Sequence, residues 1–501
     1  MPIGARFVIV FVIDGLRPDA ITAEQTPTLF RLRTEGVEFT SSHAVFPTVT
    51  RVNAAALSTG AQPARSGIVG NQMYVPALEP PRRSLDTGNH RELIRLDEAS
   101  GGRLLQAPTL AERLHARGLS LAAVSSGSTG SAFLLNPRSL AGVGTLVNGY
   151  LDPGTTVAYP PKVSEAILAR LGPAPAKASG AARYDASVAW TQRALREYVL
   201  PELRPDVVID WLTEPDHSQH HLGVGSPESC EALAGDDREL ARVLATLDDL
   251  GLTVATDVIV ASDHGFTSNT AGVDVVQALV EAGLKAARGS GDVVLASSGQ
   301  AVALHVEGGD RDRIARIARL VQSREWGGVV FTAARAPGDP RGAVEGTFSL
   351  ELIHLAHPER APDLLLTFPW SSAPNRFGVP GSDRANIGGA ARLYASDHGS
   401  MSPWNVRNTL LAWGPSFKRG AVVRAPAGNV DVAPTILALL GLGGDGLDGR
   451  VLVEALAGPT DPEQVVAETR VHTVEAGGYR AAIQVSEVDG RRYVDKSWRL
   501  T

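Results

Sequence analysis

The chain has 501 residues, with 47 Lys and Arg against 54 Asp and Glu and a formal net charge of −7. That balance excludes a strongly basic nucleic-acid binder, and 44% hydrophobic with 20% charged residues is the composition of an ordinary globular protein, so disorder is not the default reading. A single cysteine, Cys230, excludes an intrachain disulfide framework and a thiolate-rich metal site, so any metal must sit on His and carboxylates.

The apolar run FVIVFVI at 7–13 is too short to span a bilayer, which takes about 20 residues. Asp14 follows it at once with no small-residue cleavage site, so the expectation is no membrane association and a cytoplasmic location. The run reads instead as a buried strand ending in an acid and the turn GLRPD, and TPTLFRLRTEG after it has helical spacing with a Gly stop. The alternation continues through LSLAAVSS (strand), ASVAWTQRALREYVL (helix), RPDVVIDWL (strand), CEALAGDDRELARVLATLDDLG (helix) and TDVIVASDHG (strand). This predicts an α/β fold with a mainly parallel sheet flanked by helices, in which ligands bind at the C-terminal ends of the strands. Asp14, Asp216 and the pair Asp263/His264 all fall just past such ends.

Three segments are expected. Residues 1–270 and 385–460 form the core. Residues 271–384, with VVLASSG, VALHVEG, RDRIARIARLVQSREWG, VVFTAA and APDLLLTF, form a small α+β insertion. Residues 461–501 form a β-rich tail packed on the core, with Asp489-Gly490 as a hairpin turn.

Asp216 and His220 are four apart in EPDHSQHH, so on a helical turn they project from one face and can bind one cation, although His217 and His221 share the spacing and such clusters are commonly just hydrogen-bonded. Asp263-His264-Gly265 ends a strand, and a second triplet, Asp397-His398-Gly399, stands where the core pattern resumes. Two such triplets with an acid after the first strand make a candidate binuclear site. In FPTVTRVNAAALSTG, Thr48 or Thr50 precedes a helix whose N-terminus favours an anion; the ordinary role of such a threonine is a cap. Two cations roughly 4 Å apart can clamp the attacking and leaving oxygens of a displacement at phosphorus. Asn71, in GIVGNQMY, is the candidate uncharged donor to a non-bridging oxygen.

VFVIDGLRPD, FPTVTRVNAAALSTGAQPARSGIVGN, TEPDHSQHH, ASDHG and DHGSMSPWN stand in an order that resembles the alkaline phosphatase superfamily, and within it the nucleotide pyrophosphatase/phosphodiesterase group, with phosphonoacetate hydrolases as near relatives. The resemblance implies an alkaline-phosphatase-like core and a phosphodiesterase that forms a covalent phosphothreonine. It implies Thr50 as nucleophile, with Asn71 and the Thr50 N–H as oxyanion donors. One metal falls to Asp14, Thr50, Asp263 and His264 and the other to Asp216, His220 and His398, both zinc; His217 and His221 become outlying groups and Asp397 an orienting carboxylate. The implied substrate is a small phosphodiester or pyrophosphate, without nucleic-acid binding, and a phosphonate hydrolase or phosphomonoesterase on the same metals is the alternative.

The chain departs from that pattern where an aromatic residue usually follows the nucleophile and Arg51 stands instead. A nucleotide substrate is therefore not carried over, and Arg51 either faces the substrate or forms a surface ion pair, the commoner fate. A Lys-x-Arg used by related phosphomonoesterases is absent from SSGSTGSAF, which favours diesters.

Overall fold

Strand Phe7–Ile13 is apolar at every position, so both of its faces must be covered. Alternate side chains do this: Val8, Val10 and Val12 enter one core, and Phe7, Ile9, Phe11 and Ile13 enter another on the opposite face. The computed structural model describes residues 7–76, 78, 84–150, 155–388 and 393–500. Residues 1–6 and 501, the outer ends of the expected core and tail, lie outside the described residues.

The strand sits in the middle of a nine-stranded sheet. From one edge the order is Ala421–Val423, Val37–Phe39, Leu410–Trp413, Thr256–Ala261, Phe7–Ile13, Val207–Leu212, Leu121–Ser125, Thr145–Asn148 and Ala158–Tyr159. The five strands from Thr256–Ala261 to Thr145–Asn148 run parallel, and the antiparallel pairings lie outside them. Helix Thr50–Thr59 covers one face, where the small side chains of Ala54, Ala55 and Ala56 let it lie close. Helix Pro227–Asp249 covers the other through Leu233, Leu240, Val243 and Leu247, spaced at three, four and seven as a helix facing a sheet requires. The mainly parallel sheet flanked by helices is the fold the alternating sequence predicts.

Strands Val293–Ser298, Ala301–Val306, Leu364–Thr367, Val330–Thr332 and Phe348–Ser349 build a second sheet in that order, and helix Arg311–Ser323 packs on it through Ile314, Ile317, Ala318 and Val321. At the end of the described chain, Glu468–Ala476, Tyr479–Val488 and Arg491–Leu500 form a three-stranded antiparallel sheet. Its last turn is Asp489-Gly490, both with positive φ (50° and 72°), as a two-residue hairpin of the predicted kind demands. The last strand is tied to the core: Ser497 N–H donates to Met401 O at 3.1 Å, His43 Nε2 lies 2.8 Å from Asp495 Oδ1, and Tyr493 OH donates to Asp431 Oδ2 at 2.9 Å. Among the described residues no helix is long and apolar enough to cross a membrane.

Strand Val207–Leu212 carries a buried acid. Asp210 is sealed from solvent, and Gln192 Nε2 donates to both its oxygens (2.8 and 2.9 Å) while Gln192 Oε1 has no partner. Burial pushes the Asp210 carboxyl up to about 7; Gln192 works against the shift and Glu239 adds to it. An acid whose pKa is raised on folding keeps its proton longer in the native than in the unfolded chain, so its contribution is complete below the unfolded pKa of about 3.9 and fades as pH rises through about 7. Asp210→Asn should therefore match the wild type near pH 4 and exceed it at pH 8 by up to about 4 kcal/mol. Denaturant unfolding at both pH values checks this, and a pH-independent difference would refute it.

Candidate functional site

The chain reverses sharply where three parallel strands end, and each reversal delivers an acid. Asp14 follows Phe7–Ile13, Asp216 opens helix Asp216–Leu222 after Val207–Leu212, and Asp263-His264 follow Thr256–Ala261. The fourth segment, Asp397-His398, comes from the short strand Ser396–Asp397. The two DHG glycines meet different needs. Gly399 has φ +111°, and a Cβ there would lie 2.0 Å from Ser298 O; Gly265 lacks a positive φ, and a Cβ there would lie 2.1 Å from Trp404 O.

These residues assemble into two triads. Ligand atoms of Asp14, Asp263 and His264 lie within 4.8 Å of one another, and so do those of Asp216, His220 and His398. The triads adjoin, since His264 Nε2 is 4.0 Å from Asp216 Oδ1 and the His264 and His398 rings stack at 3.6 Å between centroids. His220 and His398 each place Nε2 3.4 Å from Asp216 Oδ1, and His264 Nε2 is 2.9 Å from Asp263 Oδ2.

The tautomers follow from the outer contacts. His264 Nδ1 lies 3.0 Å from Gly265 O, His398 Nδ1 3.0 Å from Thr48 O and His220 Nδ1 3.1 Å from Ser396 O. A carbonyl only accepts, so each Nδ1 carries a proton and each Nε2 faces the cluster. Asp14 Oδ2 accepts from Trp211 Nε1 at 3.0 Å, and Asp263 Oδ1 accepts from Gly15 N–H at 3.0 Å. The other oxygens, Asp14 Oδ1, Asp216 Oδ1 and Asp263 Oδ2, are buried without any hydrogen bond.

Three such orphaned oxygens in one place cost several kcal/mol each unless something positive balances them. Burial, then Asp263 and Asp216, push the Asp14 carboxyl well above its ordinary range. At Asp216 burial pushes the same way, but His220, His398 and His264 prevail and hold it below the carboxylate range. Burial opposes charge on His220, yet Asp216 and Asp397 raise it to about 9; burial and His264 push His398 well below the imidazole range. A divalent cation would replace the proton that His220 shares with Asp216, and imidazole nitrogens with carboxylate oxygens are donors that zinc accepts. The residues present fit metal ions.

Thr50 is the first residue of its helix, and its Oγ1 lies 3.5 Å from His264 Nε2. Thr48 does not open to the site: it is fully buried, and its Oγ1 donates to Ser400 O at 2.8 Å and accepts from Gly399 N–H at 3.1 Å. Asn71 Oδ1 accepts from Arg51 N–H at 3.2 Å, which leaves the Nδ2 hydrogens for another acceptor. Asp397 Oδ1 accepts from the backbone N–H of His398 at 2.9 Å and lies 3.7 Å from His220 Nδ1. His217 turns away to Gly180 O at 3.0 Å.

Thr50, Arg51, Asn71, Asp216, His220 and His398 line a groove of about 670 Å³ whose far wall includes Lys285, Arg288, Ser297, Asn386 and Tyr394. A larger cleft of about 1070 Å³, between helix Arg311–Ser323 and the turn after Ala476, holds none of the ligand residues and lies apart from this chemistry. Tyr394, whose ring centroid is 5.0 Å from that of His220, carries no signal in the sequence, because a lone tyrosine in a loop has no pattern around it. The surface ion pair expected of Arg51 is not formed among the described residues; its side chain turns into the groove instead.

A hydroxyl at a helix start facing carboxylates and imidazoles, at the carboxyl edge of a parallel sheet, marks a hydrolase acting on phosphoric ester bonds. Residues 8–375 match the model of the type I phosphodiesterase / nucleotide pyrophosphatase family, and the chain belongs to that family. The fold is shared with murine ectonucleotide pyrophosphatase / phosphodiesterase 5, with an inactive threonine-to-alanine variant of that mouse protein in complex with AMP, and with the human ectonucleotide pyrophosphatase / phosphodiesterase 5. Each is 16% identical, with a TM-score of 0.61, over 90% of this chain and 100% of the other.

Proposed function

We propose that this enzyme is a binuclear metal-dependent phosphodiesterase that works through a covalent phosphothreonine. The observation that carries the reading is the Thr50 hydroxyl at the start of helix Thr50–Thr59, beside two triads whose carboxylates keep orphaned oxygens. One cation would be held by Asp14, Thr50, Asp263 and His264, the other by Asp216, His220 and His398. Zinc suits this set, and two such ions would supply Lewis acidity to the attacking and leaving oxygens. The fold-level neighbour that is inactive with one threonine replaced by alanine, and binds AMP, supports a threonine nucleophile and a phosphate ester ligand.

Thr50 Oγ forms a bond to phosphorus as the bond to the leaving oxygen breaks. Water then displaces Thr50 from the phosphothreonine and the phosphoryl product departs. The non-bridging oxygen that gains charge is met by Asn71 Nδ2 and the Thr50 N–H, at a helix end whose dipole favours an anion. The carbonyls of Gly265, Ser396 and Thr48 hold the imidazoles in one tautomer and orientation, and Asp397 holds the backbone of His398. The residues 1–270 and 385–460 would act as the catalytic core, 271–384 as the insertion that walls the groove, and 461–501 as its brace.

The test is kcat/KM for bis-p-nitrophenyl phosphate against p-nitrophenyl phosphate on the zinc-loaded enzyme. A hundredfold diester preference is expected, and a monoester preference of that size would overturn the diesterase reading. Asn71→Ala should lower kcat by about 10²–10³-fold, the usual loss of an oxyanion donor, with KM changing far less. An unchanged kcat would remove Asn71 from that role.

A further inference from the structure

Three described cations line the groove, and two are already engaged. Lys285 Nζ donates to Val293 O at 2.6 Å and to Ser290 Oγ at 3.2 Å, and Arg288 Nη1 donates to Asp274 Oδ2 at 2.9 Å. Arg51 differs. Its Nε is buried with no hydrogen bond, and no carboxylate among the described residues forms an ion pair with its guanidinium. Asp86, on the same rim, spends Oδ1 on the Gly88 N–H at 2.8 Å.

The position of the guanidinium is built in. It lies over Gly88, where a Cβ would come 2.3 Å from Nη2, so the missing side chain at 88 makes its room. Its backbone N–H is bonded to Asn71 Oδ1, which fixes it against the oxyanion donor, and its neighbour in sequence is Thr50. A partly buried guanidinium with no ion-pair partner among the described residues, one residue from the proposed nucleophile, is placed to bind an anion from the substrate.

We propose that Arg51 is a specificity-determining residue whose guanidinium binds a second negative charge on the substrate, so that it raises turnover of esters with two anionic groups at or beside the reacting phosphorus, relative to singly charged diesters, above what the rest of the site gives them. This rests on the phosphoryl-transfer reading above and names its substrate class. The second charge has two possible carriers: a third terminal oxygen on the transferred phosphoryl, as in a monoester, or the leaving phosphoryl of a pyrophosphate.

The experiment measures kcat/KM on the zinc-loaded full chain for bis-p-nitrophenyl phosphate, p-nitrophenyl phosphate and symmetric diphenyl pyrophosphate. With Arg51→Ala, the ratio of a doubly to a singly charged substrate should fall about 30-fold, the weight of one charge-assisted hydrogen bond. A fall with p-nitrophenyl phosphate assigns the charge to the transferred group, and a fall with the pyrophosphate assigns it to the leaving group. Gly88→Ala, which keeps Arg51 but crowds its guanidinium, should move the same ratio in the same direction, and Arg51→Lys should restore part of it. Equal losses on all three substrates, or none, overturn the proposal.

Binding separates this outcome from failure of the underlying reaction. Calorimetry on zinc-loaded Thr50→Ala, with inorganic phosphate and dimethyl phosphate as probes, should show Arg51→Ala weakening phosphate about 30-fold relative to dimethyl phosphate. That result in a chain that hydrolyses none of the esters keeps Arg51's role and discards the phosphodiesterase reading. Hydrolysis without any Arg51-dependent discrimination does the reverse.

Discussion

Thr50→Ala is expected to lower kcat/KM for bis-p-nitrophenyl phosphate by at least about 10³-fold, because the covalent route closes and only a poorly placed water remains. No nearby hydroxyl can stand in, since Thr48 is locked by Ser400 O and Gly399 N–H. The two proposed cation positions keep six of their seven contacts, so zinc should still bind and the melting temperature of the zinc-loaded variant should move by no more than a few degrees. Rapid quenching of the wild type with labelled substrate should trap label on Thr50 and nowhere in the variant. Turnover by the variant within tenfold of wild type would falsify the nucleophile assignment.

Removing the metal should have the second large effect. Dialysis against a chelator is expected to abolish hydrolysis and lower the melting temperature, and added Zn²⁺ should reverse both. The stability loss follows from the orphaned oxygens of Asp14, Asp216 and Asp263: each ion bound at a thousandfold excess over its Kd stabilises by about 4 kcal/mol. Calorimetric titration of the stripped protein should reach two equivalents. His398→Ala should lose one of them and His264→Ala the other. A stripped protein with full activity, or a stoichiometry of one, contradicts the binuclear assignment.

How much of this was legible in the sequence depended on repetition and order. Strands Phe7–Ile13, Val207–Leu212 and Thr256–Ala261 announce themselves as apolar runs because both of their faces are covered. Asp14, Asp216, Asp263, His264 and His398 were legible because each stands at the end of such an element or in a repeated triplet. The strands Thr267–Val273 (TSNTAGV) and Pro380–Asn386 (PGSDRAN), which pair in a four-stranded sheet beside the site, were not, since their polar and small residues carry no alternation. The helix read through ASVAWTQRALREYVL is α-helical over Asp185–Ala194 and then widens to a π-helix over Leu195–Leu203, a stretch that contains Pro201. That the Thr48 hydroxyl is engaged inside the fold turned on a carbonyl from residue 400, and Arg51's position on the space over Gly88. Both are contacts between distant segments, which local spacing does not encode.

The bond from Ser497 to Met401 and the pairing of His43 with Asp495 also bear on how the enzyme is made. In a chain emerging from the ribosome, Asp14, Asp263 and His264 are all present once residue 264 has appeared. The other triad lacks its last imidazole until residue 398, and the loop bearing that imidazole has no brace until the strand through Ser497 is complete. On the proposed assignment all residues of one cation position are synthesised more than a hundred residues before the last residue of the other, yet the segment bearing Asp263 and His264 is itself held by Asn405, Thr409 and Asn429, so both positions depend on the late part of the chain.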